Sequence, residues 1–238
     1  MTRVLTVLTE VLRDPRAVVE RSADPAQLRE LIPTLLGITL AGAALFGVVV
    51  GSYRGGLQIP FAALKMPLLI WIPVMLTLPV THALWRAGEV EVSWQHTTMA
   101  GLVAMARTSV LAAATGPVLW LLYSLHPGYH LSVLILAGTL VVIGLPGLSV
   151  LASTMPTGGK RRGLAMLGSL LVLGLCTMQT GWLLRPFIAR PTAEVTLLRP
   201  IEDDIFSSLG ASTGAAVGVY DQDWSRGSQG ILRQRGQR

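Results

Sequence analysis

Arg107 is the side chain with the most to explain. It stands inside an apolar run, 97–123, made otherwise of apolar and hydroxyl-bearing residues. About ten residues of helix precede it, which places it about 15 Å in, close to the middle of a hydrocarbon core about 30 Å thick. A guanidinium at that depth costs about 2.5–3.5 kcal/mol and calls for a compensating group. The five long apolar runs of the chain contain no Asp or Glu. Its partner is therefore to be sought among backbone carbonyls released by prolines of a neighbouring helix, water in a cavity, or an anion such as a lipid phosphate.

A second constellation gathers at one boundary of the runs. Arg54, Gln58, Lys65 and Arg185 all fall there, and Gln179 lies about one turn below them. Such a set can meet an anion or a lipid headgroup. Cations at helix ends also do something plainer, running an apolar stem along the helix and leaving the charge in water.

The four histidines invite a metal reading that their spacing does not support. His126 and His130 are separated by Pro127 and Gly128, so they need not share a helical face, and His82 and His96 belong to the other boundary. There is no HExxH, CxxC or acidic partner at ligand spacing. The chain also lacks GxSxG, a phosphate-binding loop, and paired titratable groups of opposed character. No catalytic residue, metal or cofactor is expected. Spans without acids also disfavour a proton relay.

Positioning these residues is the work of five helices. Of 238 residues, 51% are hydrophobic and 13% charged, against about 25% charged in an average soluble domain. The deficit is concentrated between Leu31 and Leu184. A span needs about 20 apolar residues, and five segments qualify: 31–51, 61–85, 97–123, 131–153 and 163–184. The predicted fold is all-α, a polytopic bundle of five transmembrane helices over 31–190, preceded by an amphipathic segment, 1–30. An extended segment, 191–206, and a disordered tail, 207–238, follow; the tail is rich in Gly, Ser and Gln and has too little apolar surface to offset ordering entropy.

Several local features shape that bundle. The third run is rich in small residues, among them Ala100, Gly101, Ala104, Ser109, Ala112 and Gly116, which suits a helix in the middle where neighbours approach closely. Pro67, Pro73 and Pro79 recur in the second span and predict a bent helix packed on protein. Val4, Leu5, Val7, Leu8, Val11 and Leu12 recur at helical spacing. That stretch reads either as a helix lying on the bilayer surface or as one packed on the bundle. Asp14-Pro15 ends it, and Asp24-Pro25 opens a further helix through Leu31. Cys176, the single cysteine, has no intrachain partner and reads as a small apolar filler.

The net charge of +6 and pI near 10.2 do not imply nucleic acid, because the basic residues sit at helix ends rather than on one soluble face with aromatics. They set orientation instead. Arg3, Arg13, Arg16, Arg21, Arg29, Arg86, Lys160, Arg161 and Arg162 fall on one side, against Arg54 and Lys65 on the other. The count predicts a cytoplasmic N-terminus and an external C-terminus, with Arg185 and Arg190 opposing it.

Three stretches carry a resemblance: GSYRGGLQ at 51–58, ALKMPLL at 63–69 and WLLRPFI at 182–188. They resemble an uncharacterised family of bacterial five-span membrane proteins. The layout over about residues 11–206, a polar segment with a D-P followed by five closely spaced helices, looks like the Yip1 superfamily. That likeness implies membrane organisation rather than catalysis, and it transfers no site residue. Three functions compete: a non-enzymatic scaffold or anchor that recruits a partner complex in a bacterial inner membrane; a transporter or channel subunit for a small anionic or polar solute with Arg107 in a central cavity; and a lipid-headgroup-binding or lipid-modifying protein. The expected partners are membrane lipids, anionic headgroups included, and another membrane protein or a second copy of the chain.

Overall fold

The computed structural model describes residues 2–126, 128–184 and 187–188. These form seven α-helices and no strand: α1 Thr2–Arg13, α2 Pro15–Arg21, α3 Pro25–Ser52, α4 Gln58–Ala87, α5 Trp94–Ser124, α6 Tyr129–Thr154 and α7 Arg162–Leu183. Arg185 and the segments 191–206 and 207–238 lie outside the described residues.

Local chemistry sets the helix starts. The Asp14 carboxylate accepts from the Ala17 amide at 3.1 Å, with Pro15 in the first turn. Asp24 accepts from the Ala26 amide at 2.9 Å ahead of Pro25, and the Ser93 hydroxyl accepts from the His96 amide at 3.2 Å. Each cap satisfies an amide that the helix leaves without a partner.

Helices α3 to α7 are each long and apolar enough to cross a bilayer, and the protein is a polytopic helical membrane protein with an amphipathic N-terminal helix. Helices α3 to α6 overrun the apolar windows that the sequence marks, while α7 matches its own to within a residue. Helix α5, at 31 residues, extends about 46 Å, well beyond a core of about 30 Å. The capped ends therefore stand in the headgroup region, where polarity no longer reports helix. Helix α3 shows this best. The short helix expected from Asp24-Pro25 continues unbroken into the first span, through the exposed Pro33.

In order of packing, α3 lies against both α4 and α5, α7 flanks α4, α6 flanks α5, and α6 and α7 barely touch. Helix α5 meets α1, α2, α3, α4 and α6, the central place that its small residues predict. Lipid replaces water as the competitor inside a bilayer, so close packing rather than apolarity selects the neighbours. At Gly47 a Cβ would lie 2.6 Å from the Ala63 Cα, so α3 and α4 approach at a distance that only glycine permits.

Of the two alternatives for α1, the structure shows the packing on the bundle. Helix α1 packs on the bundle through Val7 and Val11, buried with Val18 and Val19 of α2, while Val4 and Leu5 stay exposed. This happens at the bundle's end, where water is present and burying each valine is worth about 1.5–3 kcal/mol.

Candidate functional site

The two ends of the bundle differ in chemistry. One end, called here the capped end, carries α1, α2 and the connections 88–93 and 155–161. Hydrogen bonds between distant residues tie it together. The Gln95 amide donates to the Ser22 carbonyl at 2.5 Å, joining α5 to the end of α2. His96 Nε2 lies 2.8 Å from the Thr154 carbonyl at the end of α6. A carbonyl only accepts, so Nε2 carries the proton. Arg162 donates to the Met155 carbonyl at 3.2 Å, and the Arg161 amide to the Gly88 carbonyl at 3.4 Å. Between α1 and α2, Arg21 pairs with Glu10. His82 meets Thr97 at 3.0 Å and packs edge-on against Trp94. The histidines at this end are thus spent on cross-helix hydrogen bonds. Among the described residues, no group of three or more His, Cys, Asp or Glu side chains is placed to hold a metal.

A cleft of about 220 Å³ opens on the same end between α1, α2 and α3. Glu10, Arg21, Gln27 and Glu30 line it, with Thr6 and Thr34. It mixes both signs of charge.

The opposite end holds the second constellation. Gln58 is buried at the start of α4, and its amide donates to the Phe187 carbonyl at 2.6 Å. Ile188 is buried there too, in the cluster of Phe46, Ala62, Met66 and Tyr123. Tyr53 and Tyr123 stack edge to face, 5.1 Å between ring centres. Lys65 lies on the Gln58 side of α4 and is 1% exposed; it is a buried cation rather than a helix-end lysine reaching water. Arg54 is half-buried in the turn before α4, with its Nη1 buried and outside any hydrogen bond. Gln179 does not face this group: it is exposed on α7, next to the buried Thr180. Gln58 and Lys65 are thus both buried on one side of α4, with Arg54 in the preceding turn and Gln179 apart from them on α7.

Arg107 is half-buried on α5, and its Nε is buried with no hydrogen-bond partner. Its neighbours along the same side of the helix define where it sits. Toward the capped end, Ala100 and Val103 are fully buried, in a cluster with Val18, Val19, Val150 and Met155. Toward the other end, Ala114, Val118 and Leu121 are exposed. Arg107 thus marks the line where the cover of α2 and α6 gives way to the lipid-facing surface of α5.

The sequence carried no signal for the bonds of Gln95 and His96 or for the packing of Phe187 and Ile188 against the bundle. All are contacts between residues distant in the chain. No protein-family model, no curated protein and no solved structure matches the chain.

Proposed function

We propose that the protein is a non-enzymatic membrane scaffold that recruits a partner at its capped end. The observation that carries this reading is the fixed seat of α1 and α2: Val7, Val11, Val18 and Val19 are buried and the Gln95–Ser22 bond holds the end of α2. An amphipathic helix used only as a lipid anchor spends its apolar face on the bilayer. Here that face is spent on the bundle, and Arg13, Arg16 and Glu20 point outward on a rigid support, beside Arg86, Lys160 and Arg161. Rigid elements hold a recognition surface better than loops do.

Cations within short connections favour the cytoplasmic side, so the reading puts the capped end in the cytoplasm of a bacterial cell and the C-terminus outside. The five-span, Yip1-like layout agrees with it. The test is photo-crosslinking in native membranes from probes at positions 13, 16 and 160. A specific partner captured from these positions and absent from a probe at position 125 supports the scaffold. A strictly monomeric protein that yields no adduct removes it.

One observation favours a second reading, contact with an anion: the buried, unpartnered Nε of Arg107 in a span without acids. Anion flux or lipid-phosphate binding in proteoliposomes that disappears with Arg107→Ala supports it, and activity unchanged by that substitution removes it.

A further inference from the structure

Helix α7 presents one ridge to the lipid along almost its whole length. Leu167, Leu171, Leu175, Gln179 and Leu183 recur every four residues, and all five are exposed. Such rows of residues are the ridges along which helices interlock. Four positions carry leucine, which lipid accepts. The fifth carries a primary amide, and Gln179 makes no hydrogen bond with any described residue. It lies about 25 Å along α7 from Arg162, still within a span of about 30 Å. There, an amide facing acyl chains forgoes its donors and its acceptor, which is unfavourable.

We infer that this ridge is the interface of a homodimer, in which Gln179 of one copy hydrogen-bonds Gln179 of the other. Two arguments select a second copy over an unrelated helix. An amide is both donor and acceptor, so an identical amide completes it. Copies of one membrane protein also insert in the same direction, so a two-fold axis along the membrane normal brings each residue to its own depth in its partner. An interface of this symmetry is self-complementary by construction, whereas an unrelated helix must carry a polar group at the same depth by coincidence. Helix α7 is free to take part, because it is a flanking helix that packs on α4 and barely touches α6. Gly174 on the same helix has no neighbour within 4 Å of a built Cβ, which leaves room beside the ridge. The inference goes beyond the scaffold reading and does not rest on it, since it concerns the membrane-embedded flank and not the capped end.

The test uses the full-length chain with Cys176→Ser, reconstituted in phosphatidylcholine–phosphatidylglycerol vesicles. Single cysteines are placed in turn at positions 167 to 183 and oxidised. Disulfide-linked dimer is expected to peak every four residues, at 167, 171, 175, 179 and 183. In parallel, energy transfer between donor- and acceptor-labelled copies reports dimerisation without introduced cysteines in α7. Gln179→Leu should weaken the dimer about three- to thirty-fold, and Gln179→Asn should retain most of it. A flat crosslinking profile, or energy transfer unchanged by Gln179→Leu, overturns the proposal. Loss of the dimer in both Gln179 variants also overturns it, since the amide of Asn should serve.

Discussion

Gly42 of α3 meets the backbone of Ser109 on α5 so closely that a Cβ on Gly42 would lie 2.6 Å from the Ser109 carbonyl oxygen. The obstacle is main chain, which has no rotamer to yield. This contact sets the spacing of the two helices that make the most extensive contact in the bundle. Gly42→Ala must push α3 and α5 apart, and overpacking of this kind costs about 1–3 kcal/mol. Gly37, on the same helix, has nothing within 4 Å of a built Cβ, so Gly37→Ala should be neutral or slightly stabilising. Unfolding in mixed micelles measures both. Equal effects of the two substitutions would mean that the close approach does not limit packing.

The Gln95–Ser22 bond gives a second prediction. It is the polar link between α5 and the end of α2, and a neutral hydrogen bond of this kind contributes about 0.5–1.5 kcal/mol. Gln95→Ala should therefore leave the five spans inserted while α2 opens more often. Hydrogen exchange over 15–23 should accelerate about two- to ten-fold, with exchange in the middle of α5 unchanged. Uniform acceleration through the molecule would show that the link supports the whole bundle rather than the cap alone.

What the sequence disclosed, and what it withheld, follows from the range of the interactions. The spans are legible because apolar length is a local property, as are the caps at Asp14 and Asp24, where side chain and amide are neighbours in sequence. The central place of α5 was legible in its small residues, since crowding on all sides leaves no room for large ones. Burial of Lys65 was not, because position near a helix end implies water only when nothing else packs there, and here Ile188 is buried and Phe187 half-buried at that end of the bundle. The exposure of Gln179 was hidden for a similar reason. The rotation of α7 about its axis is fixed by its contacts with α4, and an apolar helix with leucine on every side carries no periodic record of it.

Orientation supplies a third prediction. The connections 88–93 and 155–161 and the helices α1 and α2 share the capped end, joined by the bonds of Gln95, Arg161 and Arg162. Single cysteines at positions 13, 89 and 160, in a Cys176→Ser background, should all label from one side of the membrane. Positions 55 and 126 should label from the other. With the positive charge concentrated at the capped end, an impermeant reagent added to intact cells should reach only the second set. Labelling of 13 and 126 from the same side would remove one of the five crossings.

The last prediction concerns the end opposite the cap. Gln58 is fully buried, and its amide reaches the Phe187 carbonyl at 2.6 Å, holding the chain after α7 against the start of α4. Gln58→Leu keeps roughly the volume and removes the donor. The Phe187 carbonyl then loses its partner, at a cost of about 1–3 kcal/mol, and the cheapest response is for that chain to lift away, because only the apolar contacts of Phe187 and Ile188 then hold it on the cluster. Hydrogen exchange at 187–188 should rise about five- to a hundred-fold, with α4 itself little changed. Gln95→Ala serves as the control, since Gln95 bonds Ser22 at the capped end, far from Phe187. If Gln58→Leu leaves exchange at 187–188 as it was, the seat of that chain is apolar, and Phe187 and Ile188 hold it without the amide.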